Sequence, residues 1–240
     1  TGVMAQSDGG PTTGGQVDVS IDGPTWTEGD NADGIFAQSI GVVGAVDVTV
    51  QAGGAGTLGD FARGVAAISD AGTGDGGIVG VTVNGTTSTA GYNSGGIYAL
   101  STGAASGGVV TVDQQGDLIT TGNDSTGLSA ISHSSVGAGN TVLVTVTGST
   151  TVGDPVAGTG DGSTGVFAQS IGATGAGSVS VFQDGAVTTY GENARGVVAL
   201  SDAGSGAGGT VDVTVIGTTS TQGNNSGGVV AESSGATSAG

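Results

Sequence analysis

An all-β fold, a right-handed parallel β-helix (β-solenoid), is what this 240-residue sequence predicts, and three observations carry it. The motif Gly-(Ile/Val/Leu)-x-Ala-x-Ser recurs eight times, beginning at Gly2, Gly34, Gly64, Gly96, Gly127, Gly165, Gly196 and Gly228, a period of about thirty-one residues. A Val-x-Val run and then a Thr-x-Gly follow seven of the copies. Glycine supplies 54 residues and proline only 3, so the chain can turn sharply and often without interrupting strands. A unit of this length cannot bury its own apolar face, so neighbouring copies must stack and cover one another. The expected molecule is a rod of seven to eight coils, each with three short strands and three glycine-bearing corners.

The coil that starts at Gly196 shows each element in order. Val197, Ala199 and Ser201 alternate with Val198 and Leu200, as the two faces of a strand require. Residues 202–209 form a glycine-rich corner, Val211-Asp212-Val213-Thr214-Val215 a second strand, and Gly217 the next corner. Thr219-Ser220-Thr221 is the third strand, and Gly223 to Gly227 turn the chain into the next copy. Positions of fixed chemistry must lie over one another inside the rod: the aliphatic file Val3, Ile35, Val65, Ile97, Leu128, Val166, Val197 and Val229, and the alanine that follows two residues later in every copy. The second strand adds a file read as Val17, Val46, Val79, Val110, Val142, Val179 and Val211. The third adds Thr27, Thr57, Thr89, Thr120, Thr151, Thr189 and Thr221, each two residues before a glycine. The residues flanking these threonines vary from Trp26 to Ser88 to Tyr190, which places the threonine file inside rather than in an outward, ice-matching array. Parallel strands joined by crossovers make a right-handed coil the expectation.

Residues 1–240 read as one solenoid segment of a longer chain, with a four-coil block duplicated at an offset of about 132 residues. Phe36-Ala37-Gln38-Ser39-Ile40-Gly41 recurs at Phe167–Gly172, and the two arginines, Arg63 and Arg195, keep the same offset. One longer spacing places an insertion loop near 154–160, beside Pro155.

Charge narrows the partners. Twenty acidic residues face two arginines and no lysine, a net charge of -18, so phosphate backbones and anionic lipid are repelled. No nucleic-acid or direct membrane partner is expected. Cysteine is absent, so no disulfide contributes.

The string Gly-Ile-Phe-Ala-Gln-Ser-Ile-Gly at Gly34–Gly41, echoed at Gly165–Gly172, resembles the repeat of large bacterial autotransporter passenger domains. In that repeat a glycine-rich run, a Val-x-Val strand and a Thr-x-Gly turn follow the motif, as they do along essentially the whole of this chain. The resemblance implies a β-helical stalk, extracellular and displayed at the bacterial cell surface, attached to the outer membrane only through a C-terminal barrel outside this segment.

No catalytic constellation is evident. The single histidine, His133, is read as a polar corner residue just past a strand end, and lysine is missing from any polysaccharide-cleaving set. No cofactor is expected; Ca²⁺ at Asp/Asn-Gly corners such as Gly74-Asp75-Gly76 and Gly160-Asp161-Gly162 is the one metal that suits the available oxygen ligands. The candidate site is instead a stripe on the outer face of the first strand, formed by Met4, Phe36, Ile68, Tyr98, Leu100, Ile131, Phe167, Val198, Leu200 and Val230. Stacked along the rod, these would make a lateral contact for another copy of the chain or for a host or abiotic surface. The sequence therefore points to a non-catalytic structural and adhesive stalk. The alternatives are a self-assembling extracellular filament or sheath, suggested by unpaired strand edges at the end coils, and a polysaccharide-active β-helix enzyme.

Overall fold

A computed structural model describes residues 1–239. The described chain is all β: three strands per coil, wound into a parallel solenoid of three sheets. Corresponding strands of successive coils are hydrogen-bonded neighbours. The first sheet has eight strands, from Val3–Asp8 to Gly227–Gly235; the second has seven, from Val17–Ile21 to Val211–Ile216; the third has seven, from Thr25–Glu28 to Thr219–Gln222. The coils form rungs one to eight in chain order, each beginning at the corner just before its motif glycine.

Register explains the motif. Val3, Ile35, Val65, Ile97, Leu128, Val166, Val197 and Val229 are direct partners from rung to rung, and the alanines two residues later pair in the same way. From Ile35 to Val197 the aliphatic file is essentially inaccessible to water, and it packs against the valines of the second sheet as one continuous core. Small alanines are needed because three sheets converge on a narrow interior; a longer side chain in that file would overpack it.

The motif serine has a part that periodicity alone does not reveal. Its hydroxyl accepts the N–H of the following corner: Gly77 to Ser69 at 2.8 Å, Gly108 to Ser101 at 2.8 Å, Asn140 to Ser132 at 2.8 Å and Gly177 to Ser170 at 2.8 Å. In several rungs it also donates to the corner carbonyl of the coil below, as Ser101 does to Gly77 at 2.7 Å and Ser201 to Gly177 at 3.0 Å. One buried hydroxyl thus satisfies an orphan donor and an orphan acceptor where the chain leaves the first sheet, and ties two coils together.

Two file assignments are corrected by the register. In rung two, Val48 and not Val46 pairs with Val17 and Val79; Val46 lies in the corner, where its N–H bonds Ser39. Valine stands at 46, 48 and 50, so a two-residue period cannot say where the strand begins. In rung five, Val152 and not Thr151 partners Thr120 and Thr189, and Thr151 turns outward opposite Ile119. The residues after this strand leave the rung altogether: 154–159 form a short antiparallel excursion closed between Asp154 and Thr159, and the chain rejoins where Asn123 Oδ1 accepts the N–H of Gly160 at 2.7 Å. That detour, rather than the strand, lengthens the path from Val152 to the next motif glycine, Gly165.

The remaining threonines of this file do point inward, and the hydroxyls of Thr57, Thr89, Thr120 and Thr189 are buried without a hydrogen-bond partner. Neighbouring threonines are about 4.8 Å apart along the rod, too far to bond one another. Val152 shows that the same file accepts a side chain of this shape without a hydroxyl. Thr89→Val is therefore expected to raise stability by about 1 kcal/mol, measured by urea unfolding. A loss instead would show that water inside the rod satisfies the hydroxyl.

Candidate functional site

The alternation that fills the core also builds the outer face of the first sheet. In Ile35–Gly41, residues 35, 37, 39 and 41 are buried and Phe36, Gln38 and Ile40 face outward. Because the register does not slip, outward residues form straight files. One runs Met4, Phe36, Ala66, Tyr98, Ser129, Phe167, Val198 and Val230, and the next Gln6, Gln38, Ile68, Leu100, Ile131, Gln169, Leu200 and Glu232.

All ten stripe residues expected from the sequence lie in these two files. Phe36, Ile68, Tyr98, Leu100, Ile131, Phe167, Leu200 and Val230 are half-buried and Met4 is exposed. Val198 is the exception: it is only 1 % exposed, so it packs against its neighbours and presents no contact area. The apolar centre is Ile68, Leu100 and Ile131 on rungs three to five; toward the first rung the file becomes a glutamine ladder, with Gln6 donating to Gln38 at 3.2 Å.

Arg63 lies across this surface. Its Nη2 and Nε bond the two carboxylate oxygens of Asp33 at 2.9 and 3.2 Å, a fork on a carboxylate that is itself almost fully buried. The guanidinium carbon sits 6.0 Å from the Phe36 ring centre and 5.3 Å from that of Tyr98. Burial pushes the Tyr98 phenol above its ordinary pKa, and the Arg63 charge partly offsets this. Arg195, at the equivalent place four rungs on, stands above Thr164 where Arg63 stands above Asp33. Among the described residues the Arg63–Asp33 pair is the one salt bridge. A cavity of about 240 Å³ opens beside Tyr98, lined by Arg63, Asn93, Gly95, Thr126 and Ser129 among others.

His133 lies not in a corner but inside the strand Thr126–Ser134, in register with Thr102 and Ile171, its Nδ1 3.2 Å from the Thr102 hydroxyl. The strand runs two residues past the motif serine, which composition did not show. The two carboxylates considered as calcium ligands are engaged by the coil above: Asp75 accepts from the Ser106 hydroxyl at 2.7 Å and Asp161 from the Glu192 N–H at 2.7 Å. Asp47, Asp60 and Asp117 accept backbone N–H groups one coil on in the same way, at 2.8, 2.7 and 2.9 Å. Part of the acidic excess is thus corner chemistry, each carboxylate satisfying a donor that the turn leaves unpaired. Among the described residues no group of three or more His, Cys, Asp or Glu converges as a metal site.

A second exposed cluster escaped the sequence reading. Phe61 adopts a left-handed backbone, φ 58°, at the corner position held elsewhere by Asn31, Asn93, Asp124, Asn193 and Asn225. That conformation costs a bulky residue about 1 to 2 kcal/mol. Phe61 meets Tyr92 edge-on, ring centres 5.6 Å apart, with both rings about half exposed. The signal available in the sequence was an aromatic in a file otherwise made of asparagine and aspartate.

Comparison of the chain with protein-family models, with curated proteins and with solved structures finds no match.

Proposed function

We propose that this chain is a structural and adhesive stalk of an exported bacterial surface protein of the autotransporter kind, acting through its lateral surface and not through a catalytic centre. The observation that carries this reading is the pair of adjacent outward files on the first sheet, which between them place a large, partly exposed apolar side chain on successive rungs, such as Phe36, Ile68, Leu100, Ile131 and Phe167. A rod lengthens by about 4.8 Å for each coil, so repetition supplies reach at constant cross-section. A stripe repeated along that length gives many weak contacts, which sum to firm attachment when the opposing surface is equally extended. The partner is a second rod side by side or a host or abiotic surface. The motif at Gly34–Gly41 and Gly165–Gly172 supports export to the cell surface.

Replacing Phe36, Tyr98 and Phe167 together by serine is expected to abolish lateral association in sedimentation, and attachment of bacteria displaying the complete protein, while the circular dichroism of the purified rod keeps its strand signal. Attachment and association that persist at the wild-type level would refute the reading. Labelling of the complete protein on intact cells by an impermeant reagent tests the location independently.

A further inference from the structure

The first outward file carries an aromatic ring on every second rung: Phe36, Tyr98 and Phe167 on rungs two, four and six. Between them stand small residues, Ala66 on rung three and Ser129 on rung five. Successive rings are therefore two rungs, about 9.6 Å, apart, and each pair brackets a notch.

The lower notch is occupied from within the chain. Arg63 enters it from the position just before its motif glycine, and the guanidinium lies between Phe36 and Tyr98 at 6.0 and 5.3 Å. Ala66, the floor of the notch, is 0 % exposed although it belongs to the outer face. The upper notch is bracketed by Tyr98 and Phe167, and among the described residues no cation lies over Phe167. By register the position of Arg63 passes through Gly95 to Thr126, so a short threonine stands on rung five where the arginine stands on rung three. Ser129, the floor, is partly exposed, and the cavity of about 240 Å³ runs beside Tyr98, from Arg63 across Gly95 to Thr126 and Ser129, without reaching Phe167. Gly95 leaves it open: a Cβ there would meet nothing closer than 3.5 Å.

We propose that this opening in the upper notch binds an arginine side chain of a partner polypeptide, its guanidinium stacked on Tyr98 from the Ser129 side. The filled notch two rungs below shows which chemistry these walls accept. Charge points the same way. The chain carries -18 overall, exposed Asp124 lies on the corner of the same rung, and Asp161 and Glu192 come on the next two corners. The one nearby cation, Arg63, is already paired with Asp33. Asn93, Thr126 and Ser129 supply neutral acceptors for the guanidinium N–H groups. This goes beyond the stalk reading, since a rod of any role would carry the notch.

The test is a titration of the isotope-labelled chain with N-acetyl-arginine amide, followed by the backbone amide resonances. Saturable shifts are expected at Gly95, Thr126 and Ser129, with the lysine analogue and the neutral citrulline analogue bound about five- to thirtyfold more weakly. Thr126→Arg, which places an arginine in the file of Arg63, should fill the notch and remove the shifts. Arg63→Ala should add a second set of shifts around Ala66. Citrulline binding as tight as arginine, a neutral oligosaccharide shifting these amides in preference to arginine, a wild-type chain without saturable shifts there, or full binding by Thr126→Arg would each overturn the proposal.

Discussion

Gly96→Ala is expected to destabilise the rod by about 3 kcal/mol, whereas Gly95→Ala, one residue away, is expected to stay within about 0.5 kcal/mol of wild type. A Cβ on Gly96 would lie 2.3 Å from the carbonyl oxygen of Gly127 and 2.5 Å from Cδ1 of Leu118. The first is backbone of the coil above and the second is core, so neither can withdraw without parting two rungs. The contact repeats up the rod: a Cβ on Gly34 would be 2.6 Å from the Gly64 carbonyl, on Gly127 2.5 Å from that of Gly165, and on Gly196 2.4 Å from that of Gly228. Each motif glycine is small because the peptide above it occupies the space of a side chain. A Cβ on Gly95 has its nearest neighbours at 3.5 and 3.6 Å, ordinary van der Waals contact. Urea unfolding of the two variants checks the contrast. Equal effects would show that loss of glycine flexibility, and not close approach, governs the position.

Gln114→Leu should cost about 3 kcal/mol or more, though it replaces a polar residue by an apolar one in the core. Gln114 is fully buried in a file whose other members include Ile21, Ala52, Val83 and Val146. Its Nε2 donates to the carbonyls of Gly85 and Gly116 at 2.8 and 2.7 Å, and its Oε1 accepts from the Thr87 hydroxyl at 3.1 Å. Leucine fills the volume and leaves two carbonyls and a hydroxyl in the interior without partners, each orphan costing about 1 to 3 kcal/mol. Adding Thr87→Val removes one orphan and should restore about 1 kcal/mol. Gln183, two rungs on, holds only the Gly148 carbonyl at 2.9 Å and the Thr150 hydroxyl at 3.3 Å, so Gln183→Leu should be the milder change. Unfolding midpoints in the reverse order would refute this assignment of the glutamines as interior clamps.

Glycine 96 and glutamine 114 differ in how far they can be read from the linear chain. The motif glycines, the aliphatic file and the alanine file are legible because stacking imposes one requirement on every coil, and a requirement repeated eight times stands out of a single sequence. Gln114 occurs next to Gln115 before a glycine and reads as a polar turn; only the neighbouring corner carbonyls reveal that it points inward. Val46 and Thr151 mislead for a related reason. A strand period of two does not mark where a strand begins after a variable corner, whereas the coil above and the coil below do.

For the candidate site the division is similar. That Phe36, Tyr98, Ile68, Leu100 and Phe167 share an outer face follows from alternation and period, which depend on backbone geometry alone. That Arg63 closes one notch, that Ser129 leaves the next open, and that Val198 is hidden depend on side chains brought together from coils about thirty residues apart. The sequence by itself determined the repeating unit and, outside the irregular coils, its inner files and the faces of its strands, because those follow from steric rules that act on every residue alike. Tertiary structure alone decided register at the irregular coils, the partners of buried polar groups and the open notch beside Tyr98. Those depend on which particular neighbour lies one rung away, and the corner lengths that choose that neighbour vary from coil to coil.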